Sequence, residues 1–341
     1  MAQENSGGRA VTLKVLASQL GVHPSTVSRV LHAGPRGARG AASSETAQRI
    51  RDMARQLGYT PDPQASSLRT RRTHLLGVIV PRLSDLVLAL MYEGIEEAAA
   101  QSGHSTFVMN SHDDEREQRR KTEVMLARRV DGLIFGDAHL DGRLLPELAD
   151  RGVPFVLMNR RVPGFPSATC DDVRGGELVA DHLWAAGHRD VAVIAGEPFA
   201  STAVDRTSGF TARWRELGGH IPEDGVVWSG FDTAGGREAA EKILQTSATR
   251  PTALFAVNDF AAIGAMGTLR SHGLGVGQDM AVVGFNDTSL AAELPIPLSS
   301  VRSPLQAIGR TAVRMLREVL DGRPVESVRL EPTLFVRESS A

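Results

Sequence analysis

The chain carries one cysteine in 341 residues. Cys170 can therefore form no internal disulfide and supply no thiolate cluster, so redox chemistry is not expected and the residue reads as a small buried hydrophobe. No apolar run reaches the roughly 18 to 20 residues that a membrane-spanning helix needs. The polar start, residues 1–10, lacks the basic and apolar regions of a secretory signal. A cytoplasmic protein without a membrane partner is expected. The catalytic signatures HExxH, GxSxG and the lysine-bearing phosphate loop are missing as well. The ten histidines show no metal-ligand spacing. The run GLGVG at 273–277 lies between a helix and a strand rather than the reverse, which makes it a turn and not a phosphate cradle. Neither an enzyme nor a bound cofactor or metal is expected.

What is present is enough for a substantial core: 42% of the residues are hydrophobic and 23% charged. The net charge of -2 conceals an asymmetry. Residues 1–73 hold 11 Lys and Arg against 4 Asp and Glu, a net of +7, and the remainder is left with -9. A basic head on an acidic body suggests that the head meets a polyanion, although a solvated basic surface would show the same balance.

Within the head, Thr12 can cap a helix over 13–20 whose inward side is Leu13, Leu16, Ala17 and Leu20. Gly21 ends it, and Pro24 suits the first position of a second helix with Val27, Val30 and Leu31 on its apolar face. The small Ala17 and the turn at Gly21 make this a helix-turn-helix. The polar face of the second helix presents Ser25, Ser28, Arg29 and His32, donors suited to base edges and phosphates. A third helix is expected over 45–57, stopped by Gly58. The loop 33–43, with Arg36 and Arg39 at its tip, is placed near phosphates. After Tyr59 comes a segment that reads as a plain linker except for Leu68, an isolated apolar residue among serines and arginines and a candidate minor-groove wedge.

From Leu75 onward short apolar runs alternate with helical patterns. Strands are expected at 75–80, 105–110, 132–135 and 154–158. The alternation restarts with strands at 191–195, 226–228, 253–257 and 280–285, separated by helices at 175–186, 210–217 and beyond. Two doubly wound parallel lobes result, and ligands of such sheets settle outside the carboxyl ends of the strands. Asp137, Asn159, Arg206 on the loop after the strand 191–195, Asn258, Asp259, Asn286 and Asp287 fall at those ends. Planar hydrogen-bonding groups there suit a polyhydroxylated or anionic ligand. Capping of the following helices is the plainer role for Asp259 and Asp287, and Trp228 divides between a core position and stacking on a sugar face.

The runs VTLKVLASQLGVHPSTVSRVL (11–31), LGY (57–59), SLRTRRT (67–73), LGVIVP (76–81), RRVDGLI (128–134), the pair Asn258-Asp259 and VVGFND (282–287) together resemble the LacI/GalR family of bacterial transcriptional regulators. The resemblance implies a small all-α helix-turn-helix headpiece joined to an α/β, two-lobed domain like periplasmic sugar-binding proteins. It implies a headpiece over 1–60, a hinge over 61–73 and an effector-binding and dimerisation domain over 74–341, with one lobe at about 74–160 and 290–321 and the other at about 161–289 and 322–341. A homodimeric repressor reading a palindromic operator is implied, with a small-molecule effector, a sugar or sugar derivative, in the cleft. By the same matching, Pro24, Ser25 and Arg29 take the base-reading positions and Leu68 the intercalating one. Thr12, Leu13, His23, Ser28, His32, Tyr59, Ala65, Ser66 and Arg69 complete the DNA contacts. Val87, Leu88, Asp137, Asn159, Arg206, Trp228, Asn258 and Asn286 are the implied effector contacts.

Three departures from the family pattern stand out. The loop 37–44 is longer than the usual connection. Asp85-Leu86-Val87-Leu88 replaces a common Asn-Pro-Phe-Phe, removing an aromatic stacking surface. Asn286 stands where many relatives have aspartate, which points to a ligand more acidic or less hydroxylated than a simple hexose. The absence of a leucine heptad tail favours a dimer. The alternatives are a soluble carbohydrate-binding protein or a sugar-processing enzyme on the same body.

Overall fold

The computed structural model describes residues 12–32, 42–59, 72–247 and 249–341. The chain divides into two compact units, Met1–Thr73 and His74–Ala341.

The first unit contains helices α1 (Leu13–Leu20), α2 (Pro24–His32) and α3 (Ser44–Gln56). Thr12 caps α1 by accepting from Val15 N, and Ser43 caps α3 by accepting from Thr46 N. Gly21 adopts φ 64°, the left-handed conformation a sharp turn needs and only glycine takes without strain. The core is Leu16, Ala17, Val27, Val30, Ala47, Ile50 and Ala54, with Leu13, Leu20, Leu31, Met53, Leu57 and Tyr59 packed around it. Ala65, Ser66, Leu68 and Arg69, and most of the loop 33–43, lie outside the described residues.

The second unit begins with β1 (Leu75–Val80), α4 (Leu86–Gln101), β2 (Ser105–Asn110), α5 (Glu115–Ala127), β3 (Gly132–Phe135), α6 (Leu144–Asp150), β4 (Phe155–Met158) and β5 (Ser167–Cys170). It continues through α7 (Asp172–Ala185), β6 (Val191–Gly196), α8 (Ser201–Glu216), β7 (Val226–Trp228), α9 (Thr233–Thr246), β8 (Ala253–Ala256), α10 (Asp259–Ser271) and β9 (Ala281–Asn286). It closes with α11 (Ser289–Glu293), β10 (Ser299–Arg302), α12 (Leu305–Leu320), β11 (Val328–Leu330) and β12 (Thr333–Phe335). Two six-stranded sheets result, in the orders β11-β5-β4-β3-β1-β2 and β12-β10-β9-β8-β6-β7. All pairings are parallel except that of β12 with β10. Central strands such as β1 and β6 are buried on both faces, which is why they read as continuous apolar runs rather than alternating ones.

The lobe boundaries expected at 160/161 and 289/290 need correction. Ser167–Cys170 pairs with β4 and belongs to the first sheet, while Ser299–Arg302 pairs with β9 and belongs to the second. Val328–Leu330 returns to the first sheet beside β5 before the chain ends in the second. The chain thus passes between the lobes three times, and the short polar strands at those passages carry no apolar period to announce them. Cys170 is buried in β5, and burial pushes its thiol up to about 12, so it is inert at neutral pH.

One local device recurs three times. On α4 and α12, Gly94 and Gly309 face each other so closely that a Cβ on either would overlap a backbone carbonyl of the other helix, Gln306 O or Met91 O. Gly176 and Gly209 do the same between α7 and α8, against Arg206 O and Val173 O. Gly236 and Gly264 repeat it between α9 and α10, against Ala261 O and Thr233 O. Backbone cannot move aside as a side chain can. Gly264→Ala is therefore expected to destabilise the unit by about 1–3 kcal/mol or more. Gly267→Ala, on the same helix with open space around it, is expected to stabilise by about 0.5–1 kcal/mol. Urea unfolding of the two variants checks this, and equal shifts would mean that the close crossing is not tight.

Candidate functional site

The carboxyl ends of the strands of both sheets border a cleft of about 490 Å³ between the lobes. From the first lobe come Asp85, Val87, Leu88, Asp113, Asn159 and Arg160, and from the second Glu197, Phe199, Arg206, Phe231, Asn258 and Asn286. Six of the eight residues expected there are thus together: Val87, Leu88, Asn159, Arg206, Asn258 and Asn286. Val87 and Leu88 are carried into the cleft on the first turn of α4, which Asp85 caps by accepting from Val87 N.

Arg206 is the best-anchored group. It lies inside α8, not on a loop as the sequence suggested. Ser201, Thr202, Asp205 and Arg206 are buried polar residues, so the first half of that helix shows no hydrophobic period. Its Nε donates to Asp172 Oδ1 at 2.8 Å and its Nη1 to Val257 O at 2.7 Å, while the guanidinium lies 3.8 Å from the Phe285 ring centre. Both side chains of the ion pair are only 4% exposed. Burial pushes the Asp172 carboxyl up to about 6, with Arg206 pulling the other way. These contacts leave Nη2 for a ligand.

Asn286 ends β9 at φ 98° and Asn159 follows β4 at φ 67°, both left-handed and non-glycine, a strain that collects at functional sites. Asn286 Oδ1 is buried without a hydrogen-bond partner. A buried acceptor left so costs about 1–3 kcal/mol, which a donor on a ligand would recover. Asn258 is spent internally: its Oδ1 accepts from Ala261 N as the cap of α10, and its Nδ2 donates to Phe231 O. It positions the ring of Phe231 beside the cleft rather than offering both amide groups to a ligand.

Two expected residues lie elsewhere. Trp228 ends β7, is 44% exposed, and lines a separate depression with Trp214, His220 and Ile221. Phe231, just past the same strand, lines the cleft together with Phe199 and Phe260, and its position at a strand's carboxyl end was the signal for it. Asp137 is buried behind the end of β3 beside Ser111 and Gln118, where burial pushes its carboxyl up. Asp259 and Asp287 also face inward. Asp259 accepts from Thr288 N and Ser300 Oγ, and Asp287 pairs with Arg302 and Arg337.

The sequence reading missed the pair Arg160–Asp113, bidentate at 2.6 and 3.1 Å. Burial works to raise the Asp113 carboxyl, yet the nearby His139, 3.8 Å away, and the hydrogen-bonded Arg160 outweigh it and hold the group down at about 2. Between the lobes, Leu140 N donates to Phe199 O at 2.9 Å, the His139 ring stacks on Phe199 at 4.2 Å, and Arg161 grips Asp205 through two hydrogen bonds.

In the first unit, Ser25 and Arg29 are exposed on α2, and Pro24 and Ser28 are half-buried. Arg29 Nε donates to Ser25 O at 3.3 Å, which lays the side chain along the helix surface. His23 is exposed and its Nδ1 accepts from Ser25 N, so it fixes the start of α2. Thr12 caps α1, and Leu13 and Tyr59 pack at the rim of the core. His32 is the last residue of α2.

Comparison with known proteins agrees with both units. The profile of the periplasmic binding protein-like domain matches residues 180–340. The HTH-type transcriptional regulator DegA of Bacillus subtilis (strain 168) is 30% identical over 339 residues, 97% of this chain and 98% of that protein. A crystal structure of the Lac repressor dimer bound to operator and the anti-inducer ONPF superposes with a TM-score of 0.86 at 26% identity, over 97% of this chain and 99% of that one. The transcriptional regulator CelR in complex with cellobiose gives a TM-score of 0.73 at 28% identity, over 96% of this chain and 99% of that one. With this likeness extending over nearly its full length, the chain belongs to the LacI family of DNA-binding transcriptional regulators and is not an enzyme.

Proposed function

We propose that this chain is a homodimeric repressor that reads a palindromic operator and whose operator affinity is set by a sugar or sugar derivative in the interlobe cleft. Residues 1–60 read the DNA, 61–73 form the hinge, and 74–341 bind the effector and dimerise. The reading is carried by one observation: a cleft at the strand ends holding a buried, unpartnered acceptor on Asn286 beside the anchored donor Arg206. An acceptor and a fixed guanidinium suit a ligand that offers a hydroxyl together with an anionic or strongly accepting group. Val87 and Leu88 supply no stacking ring, and Phe199, Phe231 and Phe260 of the other lobe supply it instead. The dimeric, operator-bound Lac repressor and the cellobiose-bound CelR support the two partners assigned here.

The test is a thermal-shift screen against sugars, sugar acids and sugar phosphates, followed by operator binding with and without each hit. A cleft ligand stabilises by mass action, so a hit that raises the melting temperature and changes operator affinity at fixed salt is expected. Hits that stabilise without changing operator affinity would separate the cleft from regulation.

Arg29 is assigned to base reading because it is exposed on α2 and long enough to reach a guanine edge. Arg29→Ala should cost about 1–3 kcal/mol at one symmetric pair of operator positions. A uniform loss over all sequences in a binding-site selection would make it a phosphate contact instead.

A further inference from the structure

Strands β3, β1 and β2 are neighbours in the first sheet, and all three run parallel. Each is preceded by a potential metal ligand: Asp131 before β3, His74 before β1 and His104 before β2. The register sets Leu75 opposite Ser105 and Leu76 opposite Gly132, so the three groups fall side by side at the amino ends of the strands, away from the cleft. One ligand atom from each lies within 4.8 Å of the others. From this geometry we infer that His74, His104 and Asp131 form a divalent transition-metal site of the zinc class.

Three details support the assignment. The Ser102 hydroxyl donates its single hydrogen to Ala99 O at 2.9 Å, so at 3.1 Å from His104 Nδ1 it acts as acceptor and Nδ1 carries the ring proton. That leaves the lone pair on His104 Nε2, an atom buried without a hydrogen-bond partner. A hydroxyl accepting from one imidazole nitrogen and a bare lone pair on the other is the arrangement of a metal-binding histidine.

The rings of His74 and His104 have centroids 5.3 Å apart. Two imidazoles on a tetrahedral ion with Zn–N bonds near 2.0–2.1 Å place their centroids about 5 Å apart. The rings thus already stand at the required spacing.

His74 is held at φ 54°, left-handed for a non-glycine residue, and its N–H donates to Asp131 Oδ2 at 2.9 Å. This bond orients the carboxylate toward the histidines. His74 is exposed, which gives an ion an entry path and leaves room for water as a further ligand. Two nitrogens and one oxygen favour Zn²⁺, Ni²⁺ or Co²⁺ over Mg²⁺ or Ca²⁺. Arg317 lies near enough to act on His104, and its charge opposes a cation, so affinity in the micromolar range is expected rather than the nanomolar range of closed sites. The inference stands on the sheet alone and does not depend on the DNA or effector roles.

The test uses the full chain, freed of metal with a chelator and titrated with Co²⁺ while its visible d–d absorption is followed. One Co²⁺ per chain is expected, displaced by Zn²⁺. His74→Ala, His104→Gln and Asp131→Asn should each weaken binding at least ten-fold, and the Zn²⁺-induced rise in melting temperature should vanish with it. His74 is exposed, so its variant keeps the fold and remains informative if His104→Gln does not. Absence of a stoichiometric Co²⁺ spectrum would overturn the site, as would equal binding by wild type and His74→Ala. Loss of binding in His139→Ala, which would point to the group Glu115, His139 and Asp141, would overturn it too.

Discussion

Replacing Arg206 with alanine is expected to destabilise the two-lobed unit by about 3–5 kcal/mol, because it leaves the Asp172 carboxylate buried without its counter-charge. The pair is 4% exposed on both sides, so water cannot replace the lost guanidinium. The same substitution removes the hydrogen bond to Val257 O and the contact with Phe285, both of which tie α8 to the sheet. Arg206→Lys separates stability from regulation. A single ammonium can approach Asp172 or Val257 O but cannot reproduce a planar fork that holds both and still faces the cleft. The lysine variant should fold, bind operator as tightly as wild type without effector, and lose the effector's influence. Binding coupling is reciprocal, so in wild type the operator must shift effector affinity by the factor by which the effector shifts operator affinity. Calorimetric titration of the effector with and without operator measures both. A lysine variant that keeps the full coupling would remove Arg206 from the regulatory site.

A chain beginning at His74 should lose operator binding altogether, by about 10³-fold or more at physiological salt. Residues 1–73 carry the +7 charge and the exposed serine and arginine of α2, and what remains carries -9. This unit has hydrophobic cores of its own, Leu76 to Leu316 among them, so the loss would not be a loss of folding. Fluorescence anisotropy on labelled operator at one salt concentration decides the matter. Equal affinity for the shortened and full chains would relocate the DNA site to the acidic body.

Local order was legible in the sequence wherever a segment's own chemistry dictates its conformation. The capped helix after Thr12, the turn at Gly21 and the apolar strand at 75–80 stand where their residues implied, because caps, left-handed glycines and buried parallel strands leave their mark within a few residues, and the half-buried edge strand at 105–110 stands where expected too. The collection of polar groups at strand ends was legible for a related reason. Parallel strands all point their carboxyl ends the same way, so residues just after each strand must meet.

Where the groups sit relative to one another was not. The half of α8 that holds Arg206 is polar and buried, so its helical form depends on Asp172, Val257 and Phe285, contributed by distant parts of the chain. Whether Trp228 or Phe231 meets a ligand depends on the direction in which β7 ends, a matter of sheet twist and of the bond from Asn258 to Phe231 O. His74 and Asp131 are 57 residues apart in the chain and show no ligand spacing. They meet because strand order and register within the first sheet place the residues before β1, β2 and β3 in one row. Where a segment's own chemistry dictates its conformation, the sequence alone determined the element; the buried polar half of α8, the short strands where the chain passes between the lobes and the placing of the site groups beside one another were decided only by the tertiary structure, because their partners come from distant parts of the chain.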